Sequence, residues 1–222
     1  MKKVIFGNHE QDTIRQFHNC LETGNVVGGV LCADGHYGYS QPVGGVIVYD
    51  GQISPSGVGY DIACGNKAVR TNLVYDDIKN NMSAIMDEVQ KAVPFGFGRK
   101  NPVRVDHEVF DDENWDVFKE IGKHEHDDLK ATARAQLGTT GSGNHYVDIL
   151  VDEKTKKVWV GNHFGSRGLG HRTATGFLNL AKGLDFSDRP PHESMEATPT
   201  LLDMNRDRKS TRLNSSHKTE SR

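Results

Sequence analysis

The tripeptide Gly-Asn-His occurs twice, at Gly143–His145 and Gly161–His163, and each copy adjoins a short apolar run. From Tyr146 the chain reads YVDILV and from Lys157 it reads KVWV, both rich in the β-branched and aromatic residues that favour strands. Between them lies polar VDEKTKK, centred on Lys154, which is also the midpoint of positions 145 and 163. A hairpin symmetric about Lys154 sets the two histidines directly opposite each other at its open end. Opposed residues share a face with Cβ atoms about 5 Å apart, close enough for two imidazoles to hold one cation. The competing reading is a hairpin that merely carries two polar residues at its mouth.

A second pair of donors lies in GYDIACG, residues Gly59 to Gly65. In an extended strand Asp61 and Cys64 would sit about 10 Å apart on opposite faces. A turn at Ile62 and Ala63, with Gly57, Gly59 and Gly65 around it, instead brings carboxylate and thiol together. Asp61, Cys64, His145 and His163 then form a mixed oxygen, sulfur and nitrogen donor set suited to zinc or manganese, and bound metal favours the Cys64 thiolate.

Glycine loops surround these donors: GTTGSGN (Gly138 to Asn144) and GSRGLGH (Gly165 to His171). Both suit backbone N–H contacts to phosphate, although neither is a P-loop or a dinucleotide fingerprint. Arg167 offers a guanidinium fork for phosphate, or an ordinary surface ion pair. DGHYGY (Asp34 to Tyr39) follows a strand-like run and carries His36. FGFGRKN (Phe95 to Asn101) places Arg99 and Lys100 beside aromatic rings, a combination suited to an RNA backbone or to a solvated loop.

The rest of the chain predicts an α+β fold, mixed β-sheets with outer helices. Asp12 is a candidate cap for a helix carrying Ile14, Phe17 and Leu21, with Gly24 beyond its end. Val27 to Leu31, Val43 to Tyr49 and Lys67 to Val74 read as strands. Ile78, Met82, Ile85, Met86, Val89 and Val93 form one helical stripe ending at Pro94. A further helix is expected from Thr173 to Lys182; residues 104 to 136 give only weak helical signals. The 24 glycines among 222 residues, against about 7% of an average chain, call for many tight turns. A net charge of −3 means that any nucleic-acid site is a local basic patch.

Three unpatterned cysteines, no signal-like start and no apolar run near roughly 18 residues point to a reducing, cytoplasmic setting without a membrane span. Residues 206–222 are basic, with a single Leu and no periodicity. That segment reads as a disordered tail, and more sharply as one foreign to the parent gene.

DGHYGYSQPVGGV, ISPSGVGYDIACG, QLGTTGSGNHYVDI and HFGSRGLGH, in that order, resemble the RtcB family of RNA-splicing ligases. The resemblance covers about residues 25 to 205, so that residues 1–205 are expected to form the N-terminal part of an RtcB-like catalytic domain, truncated relative to the family. It implies a GTP- and manganese-dependent ligase, with a two-metal site, that joins RNA ends bearing a 2′,3′-cyclic phosphate or 3′-phosphate to a 5′-hydroxyl, in tRNA splicing or RNA repair. A family histidine takes GMP from GTP, the GMP passes to the RNA 3′-phosphate, and the 5′-hydroxyl displaces it. By motif, Asp61, Cys64, His145 and His163 look like metal ligands. Asn144, His145, Tyr146, Val147 and Asp148 resemble the guanylate-contacting segment, with Asp148 where the family usually has Glu. The family is about twice this length. Its guanylylated histidine, a further metal histidine and much of the guanine pocket belong to the other half, and His171, His192 and His217 match none of these. The resemblance thus implies an incomplete, inactive chain. A metal-dependent phosphodiesterase acting on cyclic phosphates and a non-catalytic metal-binding module remain the alternatives.

Overall fold

A computed structural model describes residues 2–188 and 199–204; the expected foreign segment 206–222 lies outside them. In chain order the elements are β1 (Lys2–Ile5), α1 (Gln11–Leu21), β2 (Val26–His36), β3 (Val43–Tyr49), β4 (Gln52–Ile53), α2 (Pro55–Val58), β5 (Gly65–Val74), α3 (Tyr75–Ile78) and α4 (Met82–Ala92). Two 3-10 helices, Glu108–Asp111 and Glu113–Glu120, precede α5 (Lys123–Gln136), β6 (Tyr146–Val151), β7 (Lys157–Phe164), α6 (Arg167–Ala181) and β8 (Leu202–Asp203). The fold is α+β, and the described residues form one mixed sheet and two antiparallel ones. No helix among the described residues is long and apolar enough to cross a membrane. The chain divides into two compact units, one spanning Met1–Tyr60 with the segment from Ala174, the other Asp61–Thr173.

In the first unit β2 lies between parallel β1 and antiparallel β3. Phe17 and Leu21 of α1 close over Leu31 of β2, with Ile5, Val26 and Ile47 at the edge. Burying each large side chain is worth about 1.5–3 kcal/mol. Asp12 does not cap α1: the cap residue is Glu10, without a side-chain bond, and Asp12 pairs with Arg15 at 2.6 Å. The polar edge of α1 is buried too. Gln16 Nε2 donates to the carbonyls of Gly38 and Tyr39 at 2.9 and 3.2 Å, and its Oε1 accepts from the Gly38 N–H. This one amide fastens the DGHYGY segment, while His36 Nδ1 bonds the Asp34 carbonyl at 3.0 Å.

The second unit is built on the antiparallel sheet β5-β7-β6. The histidine hairpin forms, but in a register one residue from symmetric. His163 pairs with Tyr146, Asn162 with Val147 and Val158 with Val151. The cause is the loop, which has four residues rather than an odd number about Lys154. Asp152 N–H donates to Lys157 O at 2.9 Å, Asp152 Oδ1 accepts from the N–H groups of Lys154 and Thr155, and Lys156 takes φ 57°. Period-two alternation would then send His145 to the far face from His163. His145, however, precedes the first residue of β6, so strand alternation does not govern it.

The stripe from Ile78 to Val93 is broken into α3 and α4, with no fully buried residue on α4. The segment read as a glycine loop from Gly165 is shorter than expected, because α6 begins at Arg167. Gly168 permits this start: a Cβ there would lie 2.8 Å from Gln136 Oε1 and 2.9 Å from Thr132 Cγ2 of α5.

Candidate metal and nucleotide site

The turn expected at Ile62 and Ala63 is present. Cys64 N–H donates to Asp61 O at 3.2 Å, and Ala63 lies at φ 60°, in the region where a non-glycine residue carries strain. The Cys64 thiol thereby adjoins the Asp61 carboxylate. Partial desolvation, then the negative charge and hydrogen bond of Asp61, push the thiol above its usual range.

Asp61 is the hub of the group. Its Oδ1 accepts from the Ser166 N–H at 2.8 Å and from the Ser166 hydroxyl at 3.1 Å, and its Oδ2 accepts from His145 Nε2–H at 3.0 Å. Desolvation works to raise its pKa and is the largest single influence, but the Ser166 and His145 hydrogen bonds together outweigh it and hold the carboxyl below its usual range. Ser166 stands immediately before α6, where free N–H groups and the helix dipole favour an anion.

The His145 side chain is only 9% exposed, and its Nδ1 is buried without a hydrogen-bond partner among the described residues. Such an atom costs about 1–3 kcal/mol when left unmatched. Two glycines make room for the ring. A Cβ at Gly165 would lie 2.5 Å from His145 Cε1 and 2.7 Å from Asp61 Oδ1, and one at Gly141 would overlap His145 Nδ1.

His163 faces the other way electronically. Its Nδ1 is 3.1 Å from the Gly65 carbonyl, an acceptor only, so Nδ1 carries the proton and Nε2 presents a lone pair. A backbone carbonyl holding the far nitrogen is how metal-ligating imidazoles are commonly oriented. The His145 and His163 ring centroids lie 5.1 Å apart.

The donor chemistry and the geometry thus fit a cation in part. Donors bonded to one ion at about 2.0–2.2 Å stand near 3 Å from each other, as Asp61 Oδ2 and His145 Nε2 do at 3.0 Å. Among the described residues, however, no three His, Cys, Asp or Glu side chains are already drawn in around a common point. The pair is formed, with Cys64 and His163 beside it.

Arg167, also at φ 56°, makes no ion pair among the described residues. Its Nε donates to Thr139 Oγ1 and its Nη2 to Gly96 O, both at 3.0 Å. Desolvation lowers its pKa, opposed by attraction to Asp61. A guanidinium held by neutral acceptors keeps its charge available to an anion.

A cavity of about 810 Å³ opens from His145, Tyr146 and Val147 toward α4, and Phe95, Arg99 and Lys100 line it. The structure therefore brings the guanylate-like segment and the basic FGFGRKN loop to one place. Asn144 and Asp148 do not line this cavity. Asp148 lies on the Tyr146 side of β6 and faces Gly161 across the ladder. Sequence reasoning missed Ser166, whose place just before a helix was hidden by the glycines around it, and the contribution of α4.

Residues 16–200 match the family model of the tRNA-splicing ligase RtcB. The chain belongs to the RtcB family. It is 34% identical to the tRNA-splicing ligase RtcB of Methanococcus maripaludis over 90% of this chain and 50% of that protein. For the tRNA-splicing ligase RtcB of Thermococcus kodakarensis the figures are 36%, 72% and 43%. For the RNA-splicing ligase RtcB of Escherichia coli they are 33%, 75% and 41%. The chain thus spans half or less of the length of these RtcB relatives, and the four donors fall inside the matched region.

Proposed function

We propose that this chain supplies part of the active site of a GTP- and manganese-dependent RNA ligase, one that joins 2′,3′-cyclic phosphate or 3′-phosphate ends to 5′-hydroxyl ends. The observation that carries the reading is the Asp61–His145 pair, with Cys64 beside it and His163 presenting Nε2. These four residues would hold manganese, which would supply Lewis-acid polarisation of phosphate oxygens and offset charge on the transferred phosphoryl group. Asp61 stays ionised through its bonds to Ser166 and His145, ready as a ligand. Arg167 contacts a phosphate, and Asn144 to Asp148 contact the guanylate. The cytoplasm suits an enzyme whose Cys20, Cys32 and Cys64 are all free thiols.

On this reading the nucleophilic histidine has no counterpart among these residues, and the 222-residue chain alone neither takes up GMP covalently nor ligates. Two measurements test the proposal. Manganese titration followed by the electron paramagnetic resonance of free Mn²⁺ should show a site that Asp61→Ala and His145→Ala each abolish; unchanged binding in both variants refutes the ligand assignment. Labelled GTP should leave no covalent GMP on the purified chain, and its appearance refutes the statement of inactivity.

A further inference from the structure

The cavity beside His145 has two chemically different walls. Met86, Val89, Pro94 and Phe95 form an apolar side, and Lys91, Arg99 and Lys100 a basic one, with Asp87 as the one acidic residue lining it among the described residues. Three cations against one anion leave a local charge of +2 in a chain whose net charge is −3. Lys91 is engaged by Glu88 at 2.7 Å, whereas Arg99 and Lys100 make no ion pair among the described residues. The cavity volume falls in the range of roughly 300–1,000 Å³ typical of sites for small organic groups.

The loop that carries these residues is fixed to the site. Thr140 N–H donates to Pro94 O at 3.2 Å and Gly96 N–H to Gly141 O at 2.7 Å, while Arg167 Nη2 holds Gly96 O. At its far end Asn101 N–H donates to Ala135 O at 2.8 Å, and Gln136 Nε2 to Arg99 O at 3.3 Å. The loop backbone is therefore held at the site without help from a ligand. Phe95 and Met86 on this wall are exposed, as is Phe97 of the same loop.

We propose that this cavity seats a nucleotide at the 3′-phosphate end of the RNA strand, with its base against Phe95 and the α4 face and its backbone phosphates on Arg99 and Lys100. Stacking on an aromatic face is tolerant of base identity, and phosphate contacts are read through charge, so the seat accepts any sequence. Its position puts the strand's terminal phosphate toward His145 and Asp61. The inference rests on the RNA-joining reading above, but depends on affinity alone and not on turnover.

The test uses the full chain and a short single-stranded RNA bearing a 3′-phosphate and a fluorescent 5′ label, followed by anisotropy over a range of salt. Replacing Arg99 and Lys100 by Gln together should weaken binding at least tenfold and flatten the salt dependence by one to two ions. Phe95→Ala should weaken it about fivefold or more with the salt dependence unchanged, and that loss should vanish when the terminal nucleotide is abasic. Wild-type affinity in both variants overturns the seat. So does an equal loss of GTP affinity in Phe95→Ala, which would assign the Phe95 wall to the guanine instead of to the RNA. Loss of manganese binding in His145→Ala with RNA affinity intact leaves the seat standing; a seat that fails while manganese still binds leaves the metal assignment standing.

Discussion

His163 stands opposite Tyr146 in the β6–β7 ladder, not opposite His145, yet its ring centroid is 5.1 Å from that of His145. The closeness comes from outside the ladder. His145 is the last residue before the strand, and its ring is set by Asp61 at one nitrogen and by the Gly141 and Gly165 backbones around it. The donor group is thus assembled by a turn, a strand start and a helix start rather than by the sheet alone.

Gly165→Ala should damage this assembly without unfolding the unit. Gly165 has no strained φ, so the effect is steric: the added methyl group would press on His145 Cε1 and Asp61 Oδ1, at 2.5 and 2.7 Å. Displaced supporting groups commonly cost a metal site roughly 10–100-fold in affinity. Manganese titration of the variant should show a loss in that range with an unchanged circular dichroism spectrum. Affinity equal to wild type would mean that the ring and carboxylate are not held where the ion binds.

Asp152 sets the hairpin register. Its Oδ1 accepts from Thr155 N–H, from the Thr155 hydroxyl and from Lys154 N–H. The Thr155 backbone bond is the largest cause of its lowered pKa, followed by the Thr155 hydroxyl. A carboxyl with a depressed folded-state pKa stabilises above its unfolded value of 3.8, and the benefit is lost as pH falls through the folded value. Asp152→Ala should therefore lower the melting temperature at pH 7 and leave it little changed below the folded pKa, where the wild-type loop has lost the same bonds. A variant whose deficit persists undiminished in acid would exclude this role.

Most of the α+β architecture was legible from periodicity: β3 is read to the residue, and α1, β2, β5 and β7 differ in their ends. The pairing of Asp61 with Cys64 was legible because a strand would have kept them apart, leaving a turn as the one conformation that joins them. What escaped were features set by tertiary contact. The hairpin slipped by one residue because side-chain bonds from Asp152 choose a four-residue loop. The start of α6 was masked because Gly168 and Gly170 lower helix propensity, whereas packing against Gln136 and Thr132 demands a glycine at 168. The cavity was invisible because α4 and the FGFGRKN loop reach His145 from far away in sequence.

Cys20 and Cys64 should separate cleanly. Cys20 is fully buried, donates to Ser40 O at 3.3 Å, and burial pushes its pKa from 9.0 to about 11. Cys64 is exposed. A disulfide reagent at pH 8 should label Cys64 within minutes and Cys20 only on unfolding. Manganese should slow the labelling of Cys64, since a metal-held sulfur is not free to attack. For Cys20 the raised pKa means that the stabilisation is present below pH 9 and is lost as pH rises toward 11, because the unfolded chain gives up the proton first. Stability that rises between pH 9 and 11 in wild type but not in Cys20→Ala would contradict this sign.

Arg167 combines two opposed terms that substitution can separate. Its φ of 56° costs a residue with a Cβ roughly 1–2 kcal/mol, whereas its bonds to Thr139 and to Gly96 O return about 1 kcal/mol each at most, since both are only part-buried. Arg167→Ala removes the bonds and keeps the strain. Arg167→Gly removes both. Urea unfolding should rank Arg167→Ala last, below wild type through the lost bonds and below Arg167→Gly by about 1 kcal/mol of retained strain. If the alanine variant is as stable as the glycine one, the left-handed backbone at 167 carries no strain, and the placement of the guanidinium beside Asp61 must be enforced by its hydrogen bonds alone.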